Sequence, residues 1–273
     1  MGTDARIMAW LMDTYSRSQG YSVPASYTGK PISIGGSVGR SEATGRGIFF
    51  VTQEAYRQSG RDLKGATVAV QGFGNVGSAA ARIFSAAGAN VVAVSDSEEA
   101  IYDPNGLGDI EAIVRSKCEA GRLPPEHLHP GDHITNAELF ALPVDILIPA
   151  ALEGQITGRN ADTVKAKMIV EGANGPVVCS ADTILGDKGI EVIPDIVANC
   201  GGVIVSYFEW VQDLQSFFWE EEHINRRLER MIKSAFREVS GERELNGGTL
   251  REAAYRLAVS RVVEATEDRG IFP

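Results

Sequence analysis

The segment from residue 66 to residue 96 constrains the fold more than any other part of the chain. It contains an apolar strand pattern, a G-x-G-x-x-G turn that begins at Gly72, a helical pattern of small residues, a second apolar strand pattern and an acidic residue, Asp96. A glycine turn in this strand–helix–strand context is typical of a dinucleotide-binding unit. A chance glycine turn is the alternative, and it is disfavoured because both strands, the helix and the acid are present.

Each glycine of the turn is expected to have its own role. Gly72 permits the tight turn that leaves the first strand, Gly74 lets a pyrophosphate approach the backbone, and Gly77 lets the helix pack closely on the sheet. The helix that opens near Asn75 directs free N–H groups and its positive dipole end at the phosphates. The sequence therefore predicts a pyrophosphate site at this turn.

Asp96, at the end of the second strand, bears on the choice of coenzyme. A carboxylate there can accept hydrogen bonds from both hydroxyls of an adenosine ribose, and it repels a ribose 2′-phosphate. The next residues, 97–99 (Ser-Glu-Glu), contain no Arg or Lys to compensate this charge. The pattern favours NAD over NADP, unless a basic residue from a distant part of the chain folds over the site. An aspartate that only stabilises a local turn is the alternative role.

Composition and charge indicate a soluble, globular protein. The chain has 273 residues, 44% of them hydrophobic, and a formal net charge of -10. An acidic chain is a poor partner for nucleic acid or an anionic membrane surface. No apolar run is long enough for a transmembrane helix, and the N-terminus has no signal-peptide pattern. Three widely spaced cysteines fit a reducing compartment, so we expect a cytoplasmic location.

Histidine and cysteine spacing does not favour a metal site. His127, His129 and His133 lie in one proline-rich stretch, which is compatible with a metal site or, as the favoured interpretation, a solvated loop. The cysteines have neither zinc-site nor disulfide spacing. We therefore predict no metal.

Strand and helix patterns alternate through most of the chain. Predicted strands cover residues 67–71, 90–95, 144–149, 168–171 and 190–193. Predicted helices cover residues 3–19, 41–59 with Ser41 as N-cap, 109–119, 160–165 and 181–188, most of residues 199–241, and 249–268 with Thr249 as N-cap. This alternation predicts an α/β fold: a Rossmann-like, doubly wound, mostly parallel sheet with additional C-terminal helices.

The expected domain organisation has three parts. Residues 1–27 form an N-terminal helix and connection, residues 28–207 a dinucleotide-binding Rossmann-like domain, and residues 208–273 a C-terminal helical segment that packs on it. Ligands of parallel sheets bind beyond the carboxyl ends of the strands. The loops there contain Ala150, Asn174 and Asn199, and an Asn side chain can orient an amide or a ribose. Turn formation is the alternative role for each Asn.

Several segments, in order from the first residues to the last, carry a resemblance to a known family. They lie at 2–10 (GTDARIMAW), 40–47 (RSEATGRG), 71–77 (QGFGNVG), 171–176 (EGANGP) and 198–210 (ANCGGVIVSYFEW). Together they resemble the glutamate dehydrogenases of the Glu/Leu/Phe/Val dehydrogenase superfamily, and the last two favour the glutamate branch. The resemblance implies an NAD(P)-dependent oxidoreductase for the reversible oxidative deamination of L-glutamate to 2-oxoglutarate and ammonia, with NAD favoured and NADP also compatible. It further implies that one strand of the sheet runs antiparallel.

The resemblance also assigns roles to individual residues. Thr44 contacts the nicotinamide carboxamide, with Arg40 nearby in the cleft. The turn from Gly72 to Gly77, which includes Phe73 and Val76, holds the pyrophosphate, and Asp96 holds the adenosine ribose. The residues Ala150, Asn174 and Asn199 line the part of the cleft that holds the nicotinamide. The substrate pocket contains Val203 and Ser206, and Ser206 faces the side-chain carboxylate of glutamate.

Family members usually carry a further domain before this part. That domain supplies the lysines that bind the substrate carboxylates and activate water, and a catalytic aspartate stands just before a Val-Gly-Thr segment, whereas this sequence begins Met-Gly-Thr. No lysine here, Lys30 and Lys64 included, matches those roles. We therefore expect a truncated chain with no catalytic residue, which binds the dinucleotide with little or no turnover alone and binds L-glutamate or 2-oxoglutarate only with the missing domain.

Two other functions stay open at this point. The chain could be a non-catalytic dinucleotide-binding regulator, or a subunit that needs a partner chain; it could also be an enzyme that uses residues not identified here. The resemblance implies that full-length relatives are typically homo-hexamers, whereas this chain is expected to be a monomer or a weak dimer.

Overall fold

A seven-stranded sheet forms the centre of the molecule, in a computed structural model that describes residues 3–125 and 131–270. The strands are β1 (Thr67–Gln71), β2 (Asn90–Ser95), β3 (Ala100–Tyr102), β4 (Asp132–Ile134), β5 (Ile146–Pro149), β6 (Met168–Val170) and β7 (Glu191–Ile193). Their order across the sheet is β4-β3-β2-β1-β5-β6-β7. β3 pairs antiparallel with β2 and β4, and the other pairings are parallel. The expected Rossmann-like, mostly parallel sheet is confirmed, and β3 is its one antiparallel strand among the residues described.

Helices surround this sheet. In chain order the described part of the protein contains α1 (Ala5–Gln19), α2 (Ala43–Gln58), α3 (Asn75–Ala86), α4 (Ile110–Ala120), α5 (Asn136–Phe140), α6 (Cys179–Asp187), α7 (Asp195–Ala198), α8 (Gly201–Gln215), α9 (Glu221–Asn246) and α10 (Leu250–Arg269). Helices α8 to α10 are the additional C-terminal helices that the sequence predicts. None of the helices described is long and apolar enough to cross a membrane.

Both faces of the sheet are buried. On β1, Val68 and Val70 belong to a core cluster that contains residues of α2, α3 and α9. Ala69, which points to the opposite face, belongs to a second cluster with residues of α5 and α6. Side chains alternate between the faces of a strand, so a strand covered on both sides is apolar at every position. This burial explains the continuous apolar runs in the sequence.

Helix α2 packs between α3 and α8, and glycines allow both contacts. A Cβ on Gly45 would lie 2.7 Å from the backbone nitrogen of Ala80 on α3. A Cβ on Gly201 would lie 2.1 Å from the carbonyl oxygen of Ala43. The absence of a side chain at Gly45 lets α2 pack closely on α3, and its absence at Gly201 lets the first turn of α8 lie against the first turn of α2.

Several elements differ from the sequence-based expectations. Helix α2 begins at Ala43 with Glu42 in the N-cap position, so the prediction that Ser41 is the N-cap is wrong. The backbone N–H groups of Glu42 and Ala43 bond instead to the carbonyl oxygens of Gly39 and Arg40, as part of a preceding turn. The helix expected over residues 160–165 is a short 3-10 turn, Ala161–Thr163.

Four elements were not expected from the sequence: β3, β4, α5 and α7. Each has only three to five residues, which is too short to show a hydrophobic period. By contrast, Thr249 caps α10 as predicted, in a capping box with Glu252. The expected domain division stays a prediction; residue 207 lies within α8, and one core cluster contains residues on both sides of it.

Candidate functional site

A cleft of about 970 Å³ opens beside the carboxyl ends of the central parallel strands. It lies where the strand order reverses, because β1 is flanked by β2 on one side and by β5 on the other. Ligands of open α/β sheets bind at such a reversal. The predicted site residues that line the cleft are Arg40, Thr44, Val76, Ala150, Asn174, Asn199, Val203 and Ser206.

The glycine turn joins β1 to α3 next to this cleft. Gly72 has a φ of 91°, a left-handed backbone that favours glycine, and its N–H donates to the carbonyl oxygen of Ser95 at 3.0 Å. A Cβ on Gly77 would lie 1.8 Å from the Gly72 carbonyl oxygen, so the helix meets the turn at a distance that only glycine allows.

Gly74, unlike Gly77, faces open space: a Cβ there would have no neighbour within 4 Å. Gly74 is also the N-cap of α3, and no side chain caps the N–H groups of that helix end. Uncapped N–H groups at a helix start, next to open space, form an anion-binding site. The turn therefore fits the pyrophosphate of a dinucleotide.

The two apolar residues of the turn lie in different environments. The side chain of Phe73 is buried in the core, so its contribution to the site is its backbone. Val76, on the first turn of α3, lines the cleft.

Asp96 follows β2, is buried, and contacts a partly exposed basic partner. Its Oδ2 atom accepts from Lys117 Nζ at 2.6 Å and from the backbone N–H of Leu123 at 3.0 Å. Its Oδ1 atom accepts from the backbone N–H groups of Glu98 and Glu99. Burial by itself raises the pKa of the Asp96 carboxyl, but the bonds from Lys117 and the three backbone groups outweigh it, and the net shift is downward.

Lys117 changes the argument about coenzyme choice. The local sequence after Asp96 contains no compensating cation, but α4 places one within hydrogen-bond distance. This lysine is the basic residue from a distant part of the chain that the sequence argument left open, so Asp96 alone does not separate NAD from NADP. Lys117 is 21 positions from Asp96 along the chain, and no sequence pattern around it indicates that the two side chains meet.

Asn174 and Asn199 lie together at the edge of the cleft. The Asn199 side-chain amide donates to Asn174 Oδ1 at 2.7 Å and to the Ala173 carbonyl oxygen at 3.2 Å. Asn199 thus holds the turn that follows β6, while Asn174 is exposed. Turn formation, one of the two alternatives from the sequence, is what these contacts show for Asn199; the other, that an Asn orients a ligand, stays a prediction for both residues, which line the cleft.

Arg40 and Ser206 meet at one side of the cleft. The Arg40 Nε atom donates to Ser206 Oγ at 2.9 Å. Burial lowers the pKa of Arg40, and the nearby Glu209 carboxylate opposes this shift. A guanidinium stays charged at neutral pH, so the pair presents a cation and a hydroxyl to a ligand anion. Val203 lies one turn earlier on α8 and exposes its side chain at the cleft.

A buried ionic cluster lies behind this pair. Lys30 Nζ donates to Glu209 Oε1 and Asp213 Oδ2, each at 2.7 Å, and to the Tyr27 carbonyl oxygen. Glu209 Oε2 also accepts from the backbone N–H of Gly29. The cluster fixes the segment around residue 30 to α8, so Lys30 has a structural position and does not line the cleft.

Sequence reasoning assigned no role to part of the lining: Thr28, Leu152, Glu153, Gly172, Ala173, Ile196, Cys200 and Gly202. Several of these residues lie just after the end of a strand, and that position could have indicated from the sequence that they line the cleft.

Burial raises the pKa of the Cys200 thiol to about 11, so it is protonated at neutral pH and is a poor nucleophile.

Metal-ligand clusters of three or more His, Cys, Asp or Glu side chains are absent from residues 3–125 and 131–270. His133 lies on β4, where its Nδ1 atom is 2.7 Å from Glu99 Oε2. His127 and His129 lie outside the described residues.

Comparisons with known proteins agree with this geometry. The Glutamate/Leucine/Phenylalanine/Valine dehydrogenase family model matches residues 35–270. The glutamate dehydrogenase of Thermotoga maritima is 54% identical, over 100% of this chain and 65% of that protein. The NAD-specific glutamate dehydrogenase A of Halobacterium salinarum is 47% identical, over 100% of this chain and 62% of that protein.

Solved structures of glutamate dehydrogenases also superpose on nearly the whole of this chain. The hetero-hexameric glutamate dehydrogenase of Thermus thermophilus, in a Leu-bound form, superposes with a TM-score of 0.94 at 40% identity, over 100% of this chain and 64% of that one. The enzyme of Peptoniphilus asaccharolyticus superposes with a TM-score of 0.84 at 34% identity, over 99% and 64%. The chain thus spans less than two thirds of the length of these relatives. From the family match and these relatives together, the chain belongs to the Glutamate/Leucine/Phenylalanine/Valine dehydrogenase family.

Proposed function

We propose that this chain is the coenzyme-binding part of a glutamate dehydrogenase and that it binds NAD in the cleft. The observation that carries the proposal is the turn from Gly72 to Gly77, which ends in an uncapped helix start and has open space in front of Gly74. Similar proteins are named glutamate dehydrogenases, and the relative from Halobacterium salinarum described above is named NAD-specific. The reaction, the reversible oxidative deamination of L-glutamate, is the one that the sequence resemblance implies.

The coenzyme would extend across the carboxyl edge of the sheet. The turn and the first N–H groups of α3 would hold the pyrophosphate, and the ribose of the adenosine would lie at the end of β2, beside Asp96. The nicotinamide would lie in the cleft, near Thr44 on α2 and near Ala150, Asn174 and Asn199, which follow β5, β6 and β7. When bound, the coenzyme supplies the hydride acceptor.

The substrate would lie at the other side of the cleft. Arg40 and Ser206, joined by their 2.9 Å hydrogen bond, would bind a carboxylate through the charge of one and the hydroxyl of the other. Val203 would contact the aliphatic part of the substrate. This pair suits an amino acid with an anionic side chain, in agreement with the names of the relatives.

Proton transfer needs a group that the described cleft does not contain. Oxidative deamination requires a base with a pKa near neutrality, as well as cations that hold both carboxylates. Among the described lining residues Arg40 is the cation, the Cys200 thiol is protonated, and lysine and histidine are absent. The single carboxylate of the lining, that of Glu153, is exposed to solvent. We therefore infer that the chain alone binds the coenzyme with little or no glutamate turnover. A monomeric or weakly dimeric state and a cytoplasmic location stay predictions.

Calorimetric titration with NAD, using Gly74→Ala, tests the coenzyme site. The added methyl group meets no protein atom within 4 Å, so thermal stability should not fall. The same methyl group would stand where the pyrophosphate approaches the backbone, and the affinity for NAD should fall by about tenfold or more, the loss of roughly one charge-assisted hydrogen bond. Gly186→Ala is the matched control, because Gly186 is an exposed helical glycine whose Cβ also has open space.

The outcomes test the coenzyme site and separate a complete enzyme from a chain that only binds the coenzyme. Binding of NAD that Gly74→Ala weakens and Gly186→Ala does not supports the proposed site. Equal affinities in all three proteins, or no binding, would contradict it. Glutamate-dependent reduction of NAD by the chain alone would overturn the inference of little or no turnover, whereas binding without turnover agrees with a coenzyme-binding part or a subunit that needs a partner.

A further inference from the structure

Arg251, in the first turn of α10, lies at the centre of an ionic network behind the cleft. Its Nη2 and Nη1 atoms donate to the two carboxylate oxygens of Glu171, at 2.6 and 3.0 Å, and its Nε atom donates to Asp182 Oδ2 at 2.9 Å. The guanidinium is also 3.9 Å from Asp195 Oδ1. The Glu171 side chain is fully buried and that of Arg251 is 13% exposed. A bidentate bond of this kind fixes the start of α10 against the end of β6.

Glu171 joins α10 to helix α7. It directly follows β6, and its Oε2 atom accepts from the backbone N–H of Asp195, the first residue of α7, at 2.7 Å. The backbone N–H of Glu171 donates to the carbonyl oxygen of Ile193, the last residue of β7. Helix α7 is therefore held at its start by a residue that α10 holds in turn.

Helix α7 holds the turn after β6 at two points. At its start, Asp195 Oδ2 accepts from the backbone N–H of Gly175 at 2.7 Å. At its end, the Asn199 side-chain amide donates to Asn174 Oδ1 at 2.7 Å. The Asn199 backbone N–H donates to the Asp195 carbonyl oxygen at 3.0 Å, so the two points are one helical turn apart. Residues 172–174 of the turn line the cleft where the nicotinamide would lie.

We propose that Arg251 and Asp195 are positioning residues, which hold the turn after β6 in the conformation that binds the nicotinamide half of the coenzyme. The inference rests on the proposed coenzyme site and deepens it. The two residues lie behind the turn, and neither belongs to the described lining of the cleft. A turn that is ordered before binding costs a ligand less conformational entropy than a turn that the ligand must order.

The pyrophosphate site has a separate support. The turn at Gly72 is held by its hydrogen bond to Ser95 of β2 and by its close contact with Gly77 of α3. Loss of the network around Arg251 should therefore weaken the binding of the nicotinamide and leave the binding of the rest of the coenzyme unchanged.

Calorimetric titration with NAD and with ADP-ribose tests this difference, because ADP-ribose has the pyrophosphate and both riboses but no nicotinamide. In Arg251→Met and in Asp195→Ala the dissociation constant for NAD, divided by that for ADP-ribose, should rise about 3- to 10-fold over the wild type, the equivalent of about one hydrogen bond. The affinity for ADP-ribose should change by less than about twofold. A variant that is only less stable would not change this ratio.

Each variant has a matched control. Arg243→Met removes another arginine that joins a C-terminal helix to the sheet, because Arg243 Nη1 on α9 donates to Glu191 Oε1 on β7 at 2.6 Å. Asp103→Ala removes another aspartate that holds a turn, because Asp103 Oδ1 accepts from the backbone N–H of Asn105 at 2.8 Å, in the turn after β3. Both controls should keep the wild-type ratio.

Failure of this inference differs from failure of the proposed function. If either variant folds and keeps the wild-type ratio, or loses affinity for both ligands equally, the inference is overturned while binding of NAD still supports the proposed site. Arg251→Met leaves the buried Glu171 without its cation, so if it does not fold the decision rests on Asp195→Ala, at a side chain that is 20% exposed. If the wild type binds neither NAD nor ADP-ribose, the proposed function fails and the inference fails with it.

Discussion

At the scale of single residues, the glycines of the turn differ in the space that a Cβ atom would find at each of them. Gly77 contacts the Gly72 carbonyl oxygen so closely that a methyl group would lie 1.8 Å from it, whereas Gly74 has open space. Gly77 therefore serves the packing of α3 on the sheet, and Gly74 is free to serve a ligand. The G-x-G-x-x-G pattern predicts both roles, but the distances show which glycine has which.

Gly77→Ala is expected to destabilise the protein. The added Cβ is fixed to the backbone of α3 and meets a backbone oxygen, so α3 or the turn must move, and overpacking of this kind costs about 1–3 kcal/mol. Thermal or urea unfolding should show this loss for Gly77→Ala, while Gly74→Ala stays close to the wild type. Equal stability of the two variants would mean that α3 shifts freely and that the packing role is wrong.

At the scale of elements, α2 connects the site to the rest of the fold. Thr44 at its start lines the cleft, Gly45 packs on α3, and near its end Glu54 joins α9. Glu54 is buried and accepts from Arg57 at 2.6 Å and from Arg237 of α9 at 2.7 Å. The hydrophobic period of the sequence predicts α2. Its contacts with α3 and α9, however, depend on Gly45 and on the Glu54 carboxylate.

Glu54 should make stability depend on acid pH. The hydrogen bond from Arg57, supported by Arg237 and opposed by burial, lowers the pKa of Glu54 from 4.5 to about 2. A carboxyl whose folded pKa is lowered stabilises the fold above its unfolded pKa, and this stabilisation is lost as the pH falls through the range from about 4.5 to about 2. Glu54→Gln should therefore lower the free energy of unfolding at pH 7 by about 1–2 kcal/mol, a value reduced because both arginines are exposed.

Urea unfolding from pH 7 downward measures this effect. The difference between the wild type and Glu54→Gln should persist at pH 5 and shrink below the unfolded pKa of 4.5. Glu244→Gln, at an exposed position of α9, should change stability by less than about 0.5 kcal/mol. A difference that does not depend on pH would show that Glu54 acts by packing and not by charge.

At the scale of the whole molecule, the buried cluster of Lys30, Glu209 and Asp213 joins segments far apart in sequence. The Lys30 and Glu209 side chains are fully buried, and the residues are 179 positions apart. Burial raises the pKa of Asp213, and the bond and charge of Lys30 oppose this shift. The cluster holds the segment before α2 against α8, and so keeps Arg40 next to Ser206.

Lys30→Met should be strongly destabilising, because it leaves two buried carboxylates without their cation. Removal of one partner from a buried ion pair costs about 3–5 kcal/mol. Lys64→Met is the control, since Lys64 is exposed and its substitution should cost less than about 0.5 kcal/mol. If urea unfolding gives similar midpoints for both variants, the cluster does not hold the N-terminal segment.

The sequence by itself determined the dinucleotide unit, its strands and the identity of the turn glycines. These features depend on hydrophobic period and on residues only a few positions apart, and local patterns record such short-range constraints. The mostly parallel order of the central strands follows from the same strand–helix alternation. The short elements β3, β4, α5 and α7 were not predicted because three to five residues are too few to show a hydrophobic period, although Thr135 and Glu138 form a capping box at the start of α5.

Only the tertiary structure decided which side chains meet. Arg40 and Ser206 are 166 positions apart, and Lys117 and Asp96 are 21 positions apart. Contacts of this kind depend on how α2, α4 and α8 pack at the edge of the sheet, and no periodicity within a segment specifies that packing. For this reason the sequence identified the acid at the end of β2, whereas the fold supplied the lysine that neutralises it.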